Sequence, residues 1–266
     1  MTPNLFFIFL KPALKQPGCP ICRVRDEFEL RYIENTIYEN VNDSSTWINI
    51  LASLGYCPKH TWQMGLMEKG EFGDALGNSI IYERLVKVVE NHLSQYIHHN
   101  QSRHQSRFLQ QLNRLLRCKR THSQDPFEPL VHAKCRVCQM GDGTEESCIQ
   151  WLLEGVSEPE PELREMYQQS GGLCLVHFRQ VLCISNPKFE SGVEFLTNTM
   201  LRDLSTLKNN LNQYAGKKSW DRRMEEMSPD EKVSWIKALS FFGGNVENLF
   251  LSPKMTVNFD DKDESQ

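Results

Sequence analysis

Cys19-Pro20-Ile21-Cys22 is the first segment of a pattern that recurs in the sequence. It is followed, after 34 intervening residues, by Cys57-Pro58-Lys59-His60. The same arrangement returns later, where Cys135-Arg136-Val137-Cys138 is followed, after 35 intervening residues, by Cys174-Leu175-Val176-His177. The two Cys-x-x-Cys segments are offset by 116 positions and the two Cys-x-x-His segments by 117. A nearly constant offset across four short motifs is typical of an internal repeat. The sequence therefore predicts two copies of one structural unit.

Each copy supplies three cysteines and one histidine with the spacing of a structural metal site. A Cys-x-x-Cys turn brings two thiolates together, and residues three apart at a helix start lie on one face. Zn²⁺ accepts four tetrahedral sulfur and nitrogen ligands, and Cys3His is a common structural set. We therefore predict two Zn²⁺ ions per chain, each bound by the residues of one copy. The predicted metal ligands are Cys19, Cys22, Cys57 and His60 in the first copy and Cys135, Cys138, Cys174 and His177 in the second.

Other interpretations of these ligands concern the ion and its chemistry. Cysteines also hold iron–sulfur clusters, which remain the alternative cofactor, but a mixed nitrogen and sulfur set favours zinc. A catalytic zinc usually keeps one position for water, so a complete set of four protein ligands argues against hydrolytic chemistry. His132, three residues before Cys135, could take the place of His177, although the repeat gives it no counterpart before Cys19.

A zinc–thiolate redox switch is an alternative role for the same residues. Lys59, Lys134 and Arg136 lie next to ligand cysteines in the sequence, and a positive neighbourhood favours the reactive thiolate form. Basic residues also balance the negative charge of a Cys3His zinc site, and we favour that interpretation.

The apolar pattern predicts an all-α fold. Apolar residues recur every three to five positions from Leu76 to Ile97, and a similar stripe runs from Val193 to Leu211 in the second copy. Gly55 and Gly171-Gly172 precede the Cys-x-x-His segments and predict helix ends, because glycine readily adopts the left-handed conformation. Runs of alternating β-branched residues are missing, so we expect few strands.

The last predicted helix begins at Ser228-Pro229-Asp230-Glu231, which has a capping serine, a proline in the first turn and a glutamate three residues on. Val233, Ile236 and Leu239 then predict its buried face, and Gly243-Gly244 predicts its end. The domain boundaries that follow from the repeat are a first zinc-binding helical repeat at 1–120, a connector at 121–129, a second repeat at 130–258 and a disordered acidic tail at 259–266.

Composition narrows the function classes. With 39% apolar and 24% charged residues, the chain is an ordinary globular protein. No apolar run approaches the roughly 20 residues that span a bilayer, and no secretory signal is recognisable, so we expect a cytoplasmic protein without a membrane partner. Six of the nine cysteines belong to the repeat, which favours metal binding over disulfides in that compartment.

One basic stretch leaves a nucleic-acid interpretation open. The formal net charge of −4 argues against broad nucleic-acid affinity, but no acidic residue occurs between Glu90 and Asp125. Such a charge run is usually a solvated helix face, and we favour that interpretation. The alternative is an acidic partner or nucleic acid bound by the six basic residues Arg103, Arg107, Arg114, Arg117, Lys119 and Arg120.

Three segments carry a family resemblance: Ala13–Cys22 (ALKQPGCPIC), Gly172–His177 (GLCLVH) and Trp235–Gly243 (WIKALSFFG). With them the chain resembles an uncharacterised bacterial family, domain of unknown function 6062, whose members carry Cys-Pro-x-Cys and Gly-Leu-Cys-x-x-His segments. Tyr56 stands where the motif would have leucine, and Arg136 where the second pair would have proline, but neither change removes a ligand. The resemblance supports the fold and the metal and implies no activity.

We find no sign of an active site in the sequence. Gly-rich phosphate loops, serine elbows and HExxH segments are missing, so we predict no catalytic or cofactor-binding residues and no enzymatic activity. The favoured function is a zinc-stabilised interaction scaffold, in which structural zinc contributes to folding and an exposed face binds a protein partner.

Overall fold

The computed structural model describes residues 6–105, 127–158, 161–184 and 186–245. The predicted acidic tail, most of the predicted connector and the basic residues from Arg107 to Arg120 lie outside these ranges.

The described residues form helices and contain no strand, which confirms the all-α prediction. The α-helices are α1 (Lys11–Leu14), α2 (Pro20–Tyr38), α3 (Ser44–Ala52), α4 (Pro58–Met67), α5 (Leu76–Gln105), α6 (Arg136–Ser157), α7 (Pro161–Gln169), α8 (Leu175–Leu182), α9 (Glu190–Lys217), α10 (Pro229–Lys232) and α11 (Ser234–Gly243). The described residues also include short π-helical turns at Phe6–Leu10 and Glu68–Phe72 and 3-10 turns at Glu128–Leu130 and Pro187–Phe189. None of these helices is both long enough and apolar enough to cross a membrane.

The chain divides into two compact units that do not coincide with the repeat boundaries. Unit 1 comprises Met1–Leu30 and Met140–Gln266, and unit 2 comprises Arg31–Gln139. The divisions fall inside α2 and α6, whereas the repeat places the junction at 121–129. Unit 2 is therefore one continuous segment, and unit 1 is built from both ends of the chain.

Unit 1 has a core made mostly of aliphatic side chains, and Tyr167 is among its largest buried members. The fully buried members include Leu14, Ile21, Leu152, Tyr167 and Leu196. The predicted stripe from Val193 to Leu211 lies on α9, as expected, but burial is concentrated in its first half, at Leu196 and Met200.

Unit 2 has a smaller core, which includes Ile33, Ile50, Met64, Ile81 and Leu85. The helix predicted from Leu76 to Ile97 is present as α5, but Leu93 and Ile97 are 41% and 53% exposed. A helix of 30 residues is about 45 Å long at 1.5 Å per residue. Helix α5 is longer than the small core of unit 2 can cover, so the second half of its apolar stripe stays exposed.

The predicted helix boundaries next to the motifs are confirmed. Gly55 and Gly172 have φ angles of 97° and 71°, the left-handed values that favour glycine, and α4 begins at Pro58. Each Cys-x-x-His segment therefore starts a new helix directly after a glycine-assisted turn.

The last helix differs from its prediction. Ser228 and Glu231 form the expected capping box, and Gly244, with a φ of 78°, follows the end of α11. Val233 and Leu239 are exposed, however, so the predicted buried face is wrong. The helix breaks at Val233, which separates α10 from α11, and the fully buried side chain at the break is that of Ser234. A pattern that assumes one continuous helix cannot anticipate the change of phase at this break.

Candidate metal centres

The structure brings the eight predicted ligands together in two groups of three cysteines and one histidine. Site 1 consists of Cys19, Cys22, Cys174 and His177, and site 2 of Cys57, His60, Cys135 and Cys138. Within each group the ligand atoms all lie within 4.8 Å of one another. Site 1 belongs entirely to unit 1 and site 2 entirely to unit 2.

The prediction that each site is assembled within its own copy is wrong. In both sites the Cys-x-x-Cys pair of one copy meets the Cys-x-x-His pair of the other. The helices that follow the cysteine pairs give a physical reason. At 1.5 Å per residue, the 16 residues from Cys22 to the end of α2 at Tyr38 carry the chain about 24 Å, and the nine residues of α3 cover only about 13 Å. The second copy repeats this with α6, of 22 residues, and the nine-residue α7.

Every ligand pair lies at the start of a helix. Cys19 and Cys135 directly precede α2 and α6, and Cys57 and Cys174 are the N-cap residues of α4 and α8. The N-terminal end of a helix carries partial positive charge and lowers the pKa of a nearby thiol. Two helix ends therefore converge on each group and favour the thiolate form that binds metal.

The distances in site 1 match the edges of a tetrahedron around one ion. The Sγ atoms of Cys22 and Cys174 are 3.7 Å apart, and His177 Nδ1 lies 3.2–3.4 Å from the three sulfurs. Zn–S bonds of about 2.3 Å and Zn–N bonds of about 2.0 Å at tetrahedral angles give edges of about 3.8 Å between sulfurs and about 3.5 Å between sulfur and nitrogen.

Site 2 has the same dimensions. Cys57 Sγ and Cys138 Sγ are 3.6 Å apart, and His60 Nδ1 lies 3.2–3.5 Å from the three sulfurs. A disulfide would need about 2.05 Å between its sulfurs, so neither sulfur pair is bonded. In both sites the nitrogen turned toward the sulfurs is Nδ1.

Without a metal ion, each group already contains a cysteine whose thiolate is favoured. Hydrogen bonds from Cys19 and Cys22, together with His177, lower the pKa of Cys174 far below its ordinary value, although burial opposes this. At Cys135 burial also opposes ionisation, but the hydrogen bond from His60 and two backbone amides lower the pKa to about 6. Burial, a hydrogen bond with Cys57 and the negative charge of the Cys135 thiolate raise the pKa of Cys138 to about 12.

Site 1 is held by backbone contacts that the sequence did not reveal. The Asn245 side chain accepts a hydrogen bond from Cys19 N at 2.9 Å and donates one to Cys19 O at 3.1 Å. The turns that precede the two ligand pairs also touch, because a side chain at Gly171 would collide with the backbone of Gly18. Glycine at 171 thus permits the close approach of the two loops.

Site 2 is supported by the loop that precedes its cysteine pair. The backbone amides of His132 and Ala133 both donate to Ala52 O, at 2.7 and 2.9 Å, at the end of α3. The His132 side chain is exposed and does not belong to either group, so the alternative in which it replaces His177 is contradicted.

The histidine of site 1 has a buried carboxylate as its second partner. His177 Nε2 lies 2.8 Å from Glu145 Oε1, and both side chains are almost completely buried. Arg25 forms ion pairs with Glu145 and, at 2.8 Å, with Glu29. Burial opposes ionisation of Glu145, but His177 and Arg25 lower its pKa. This cluster of charged side chains lies directly behind the ligands of site 1.

Sequence reasoning missed this cluster although the repeat contains a signal for it. Glu29 and Glu145 are offset by 116 positions, as Cys19 and Cys135 are, and both are buried. By the same offset, the counterpart of Arg25 is Gly141, where a side chain would collide with Glu29 and Arg25. Arg25 therefore occupies space beside position 141, and the glycine at 141 leaves that space open.

The remaining cysteines lie apart from both groups. Cys148 is fully buried in the core of unit 1, and burial raises its pKa to about 12, so it stays a thiol. Cys183 is exposed. Cys118 lies outside the described residues.

Comparison with known proteins gives a family without an activity. No solved structure matches the chain. A protein of Caldicellulosiruptor sp. (strain Rt8B.4), described as an uncharacterized 23.9 kDa protein in the xynA 3' region, is 22% identical over 230 residues, which cover 86% of this chain and 97% of the relative. Residues 1–241 match the model of a family of unknown function. With most of its length matched, the chain belongs to this family of unknown function, DUF6062.

Proposed function

We propose that the protein binds two Zn²⁺ ions as structural elements and serves as a metal-stabilised helical scaffold for a protein partner. The observation that supports the metal is the set of distances: in each of two independent groups, one sulfur–sulfur separation and all three sulfur–nitrogen separations match a tetrahedral zinc site, and all four ligand atoms lie within 4.8 Å of one another. Structural zinc contributes to folding free energy directly.

The donor set favours zinc over an iron–sulfur cluster. A cluster distributes its ligands over several iron atoms, which spaces the ligand atoms more widely than the edges of a single tetrahedron. Here one imidazole nitrogen lies within 3.5 Å of all three sulfurs in each group. One ion with mixed nitrogen and sulfur ligands, typical of zinc, fits this arrangement.

A structural role follows from the number of ligands. Four protein atoms complete the tetrahedron in each site, so no position remains for a reacting water. Free thiolate ligands are stable in a reducing compartment, which supports a cytoplasmic location. The partner surface would lie elsewhere, and the basic residues at 103–120 remain the alternative surface for an acidic partner or nucleic acid.

Metal content and double variants test the metal binding and the exchanged ligand pairing together. The purified wild-type protein should contain about two zinc ions per chain and be colourless. Cys19→Ser/Cys174→Ser removes two ligands of site 1 and should leave about one zinc. Cys19→Ser/Cys57→Ser removes one ligand from each site and should lose both ions or hold them weakly.

Pairing within each copy predicts the reverse for these two variants, because Cys19 and Cys57 would then share a site. A wild-type protein that holds no metal after anaerobic purification and zinc addition would refute the function itself. A brown sample that absorbs near 400 nm would replace zinc with an iron–sulfur cluster.

A zinc–thiolate redox switch is the second candidate function, and site 2 favours it. Cys57 and Cys138 are both partly exposed, and their sulfurs lie 3.6 Å apart. Two zinc-bound thiolates would give two electrons to hydrogen peroxide, which takes up two protons from solvent and becomes two water molecules, while one disulfide forms and Zn²⁺ leaves. The switch would be supported if mild peroxide releases zinc and if adding a thiol reductant and zinc restores the metal-bound protein. Zinc release without disulfide formation would refute it.

A further inference from the structure

We propose that Glu145, held by Arg25, is a positioning residue that orients His177 and thereby determines how long site 1 retains its metal. This inference rests on the proposed metal binding. It adds a residue outside the four ligands and a property, metal retention, that the ligand set alone does not determine.

The first step is the tautomer of His177. Its Nδ1 lies 3.2–3.4 Å from the three sulfurs of site 1, and its Nε2 lies 2.8 Å from a carboxylate oxygen that can only accept a hydrogen bond when ionised. When the metal binds and the imidazole is neutral, its one proton therefore resides on Nε2, and the Nδ1 lone pair is directed at the metal position. A carboxylate behind a ligand histidine also makes the imidazole a stronger donor.

The second step is the burial of this pair. The side chains of His177 and Glu145 are only 3% and 8% exposed. A hydrogen bond between ionised and neutral groups is stronger and more directional away from water. Water cannot readily replace the carboxylate here, so the ring orientation depends on Glu145 itself.

The third step is what holds Glu145. Arg25 donates to it and, at 2.8 Å, to the buried Glu29, while Gln180 Nε2 lies 3.4 Å from its other oxygen. Arg25 follows Cys22 by three residues on α2, so the helix that supplies a ligand also supplies the cation. Glu145 itself lies on α6, which supplies no ligand to site 1. The network thus connects a third helix to the site.

The experiment compares metal release from three variants of the full-length protein. Glu145→Ala removes the carboxylate, and Glu145→Gln keeps a side chain that can still accept a hydrogen bond. Glu146→Gln is the matched control, because Glu146 is the exposed next residue on α6 and forms no ion pair among the described residues. Zinc release into excess chelator is followed with a colorimetric zinc dye, below the melting temperature of every variant. Release from site 1 is assigned in a Cys57→Ser/Cys138→Ser background.

We expect Glu145→Ala to accelerate zinc release from site 1 by about 10- to 100-fold, because losing such a partner typically lowers metal affinity by that factor and a weaker ligand releases the ion faster. Glu145→Gln should restore part of the retention, and Glu146→Gln should release zinc as the wild type does. Release from site 2 should stay unchanged in all three variants. A long-range ¹H–¹⁵N spectrum of the zinc-loaded wild type should show His177 protonated at Nε2 and metal-bound through Nδ1.

Two results would overturn the proposal. One is equal site 1 release from Glu145→Ala and Glu146→Gln. The other is faster release from both sites with a matching fall in melting temperature, which would mean that Glu145 acts only on folding. If Glu145→Ala does not fold, the comparison of Glu145→Gln with Glu146→Gln decides, and equal rates reject the proposal. Failure of the wild type to bind any metal would reject the proposed function instead.

Discussion

Replacing Gly141 with alanine tests whether Arg25 occupies the space that its repeat counterpart leaves open. A Cβ atom at position 141 would lie 2.9 Å from Arg25 Nε and closer still to Glu29 Oε1. Alanine in a helix interior is favoured over glycine by about 1 kcal/mol. Overpacking costs about 1–3 kcal/mol, and breaking a buried ion pair costs about 3–5 kcal/mol. The steric and electrostatic cost should therefore exceed the gain in helix propensity.

Gly143→Ala is the matched control, since position 143 lies on the same helix and nothing lies within 4 Å of its Cβ position. This variant should be stabilised by up to about 1 kcal/mol. We expect Gly141→Ala to be at least about 2 kcal/mol less stable than Gly143→Ala, a difference of about 4–8 °C in the unfolding midpoint of a chain this size. Thermal unfolding of the zinc-loaded proteins measures it. Equal midpoints would show that Arg25 does not occupy the space beside position 141.

Three further predictions concern site 1 and the thiols. Asn245→Ala should destabilise the protein by about 1–3 kcal/mol, because both backbone groups of Cys19 lose their side-chain partner, and chemical denaturation would measure this loss. In the folded protein, an alkylating reagent should modify the exposed Cys183 and leave the fully buried Cys148 unmodified. Mass spectrometry after digestion identifies the modified residue, and early labelling of Cys148 would contradict its burial in the core of unit 1. Zinc affinity should fall as the pH falls, because protons compete with the metal for thiolates and imidazoles; a competitive titration from pH 8 to pH 6 checks the direction, and constant affinity would argue against thiolate ligands.

The ligands could be predicted from the sequence because their chemistry and their spacing agree. A chance pair of cysteines is common, but two Cys-x-x-Cys segments with two Cys-x-x-His segments at one offset are specific for metal sites. The turns before these segments were equally predictable, since Gly55 and Gly172 adopt the left-handed conformation that glycine favours. These are local properties, which do not depend on how distant parts of the chain meet.

The pairing of the ligands could not be predicted, because a repeat is symmetric under exchange of partners. An offset of 116 or 117 positions shows that Cys19 and Cys135 are equivalent, but it does not show which Cys-x-x-His pair either one meets. That pairing is a property of the folded structure, in which Cys19 meets Cys174 and Cys135 meets His60. The exposed end of α5 and the helix break at Val233 were missed for a similar reason, because burial depends on tertiary packing rather than on local pattern.

With the proposed metal ions bound, the exchanged pairing would make each ion a longer cross-link than pairing within a copy would. Cys22 and Cys174 in site 1 are 152 positions apart, whereas Cys22 and Cys57 are 35 apart. Loop-closure entropy grows by about 0.6 kcal/mol for each doubling, so closing site 1 in a chain that folds around its metal costs roughly 1.3 kcal/mol more than the within-copy alternative. The loop closed by site 2, from His60 to Cys135, lies inside that of site 1 and spans 75 positions. Closing site 2 first roughly halves the free chain that site 1 must close. If both proposed ions bind as the chain folds, loop closure alone should therefore favour binding at site 1 by about 0.6 kcal/mol once site 2 is filled, a factor of about three in affinity.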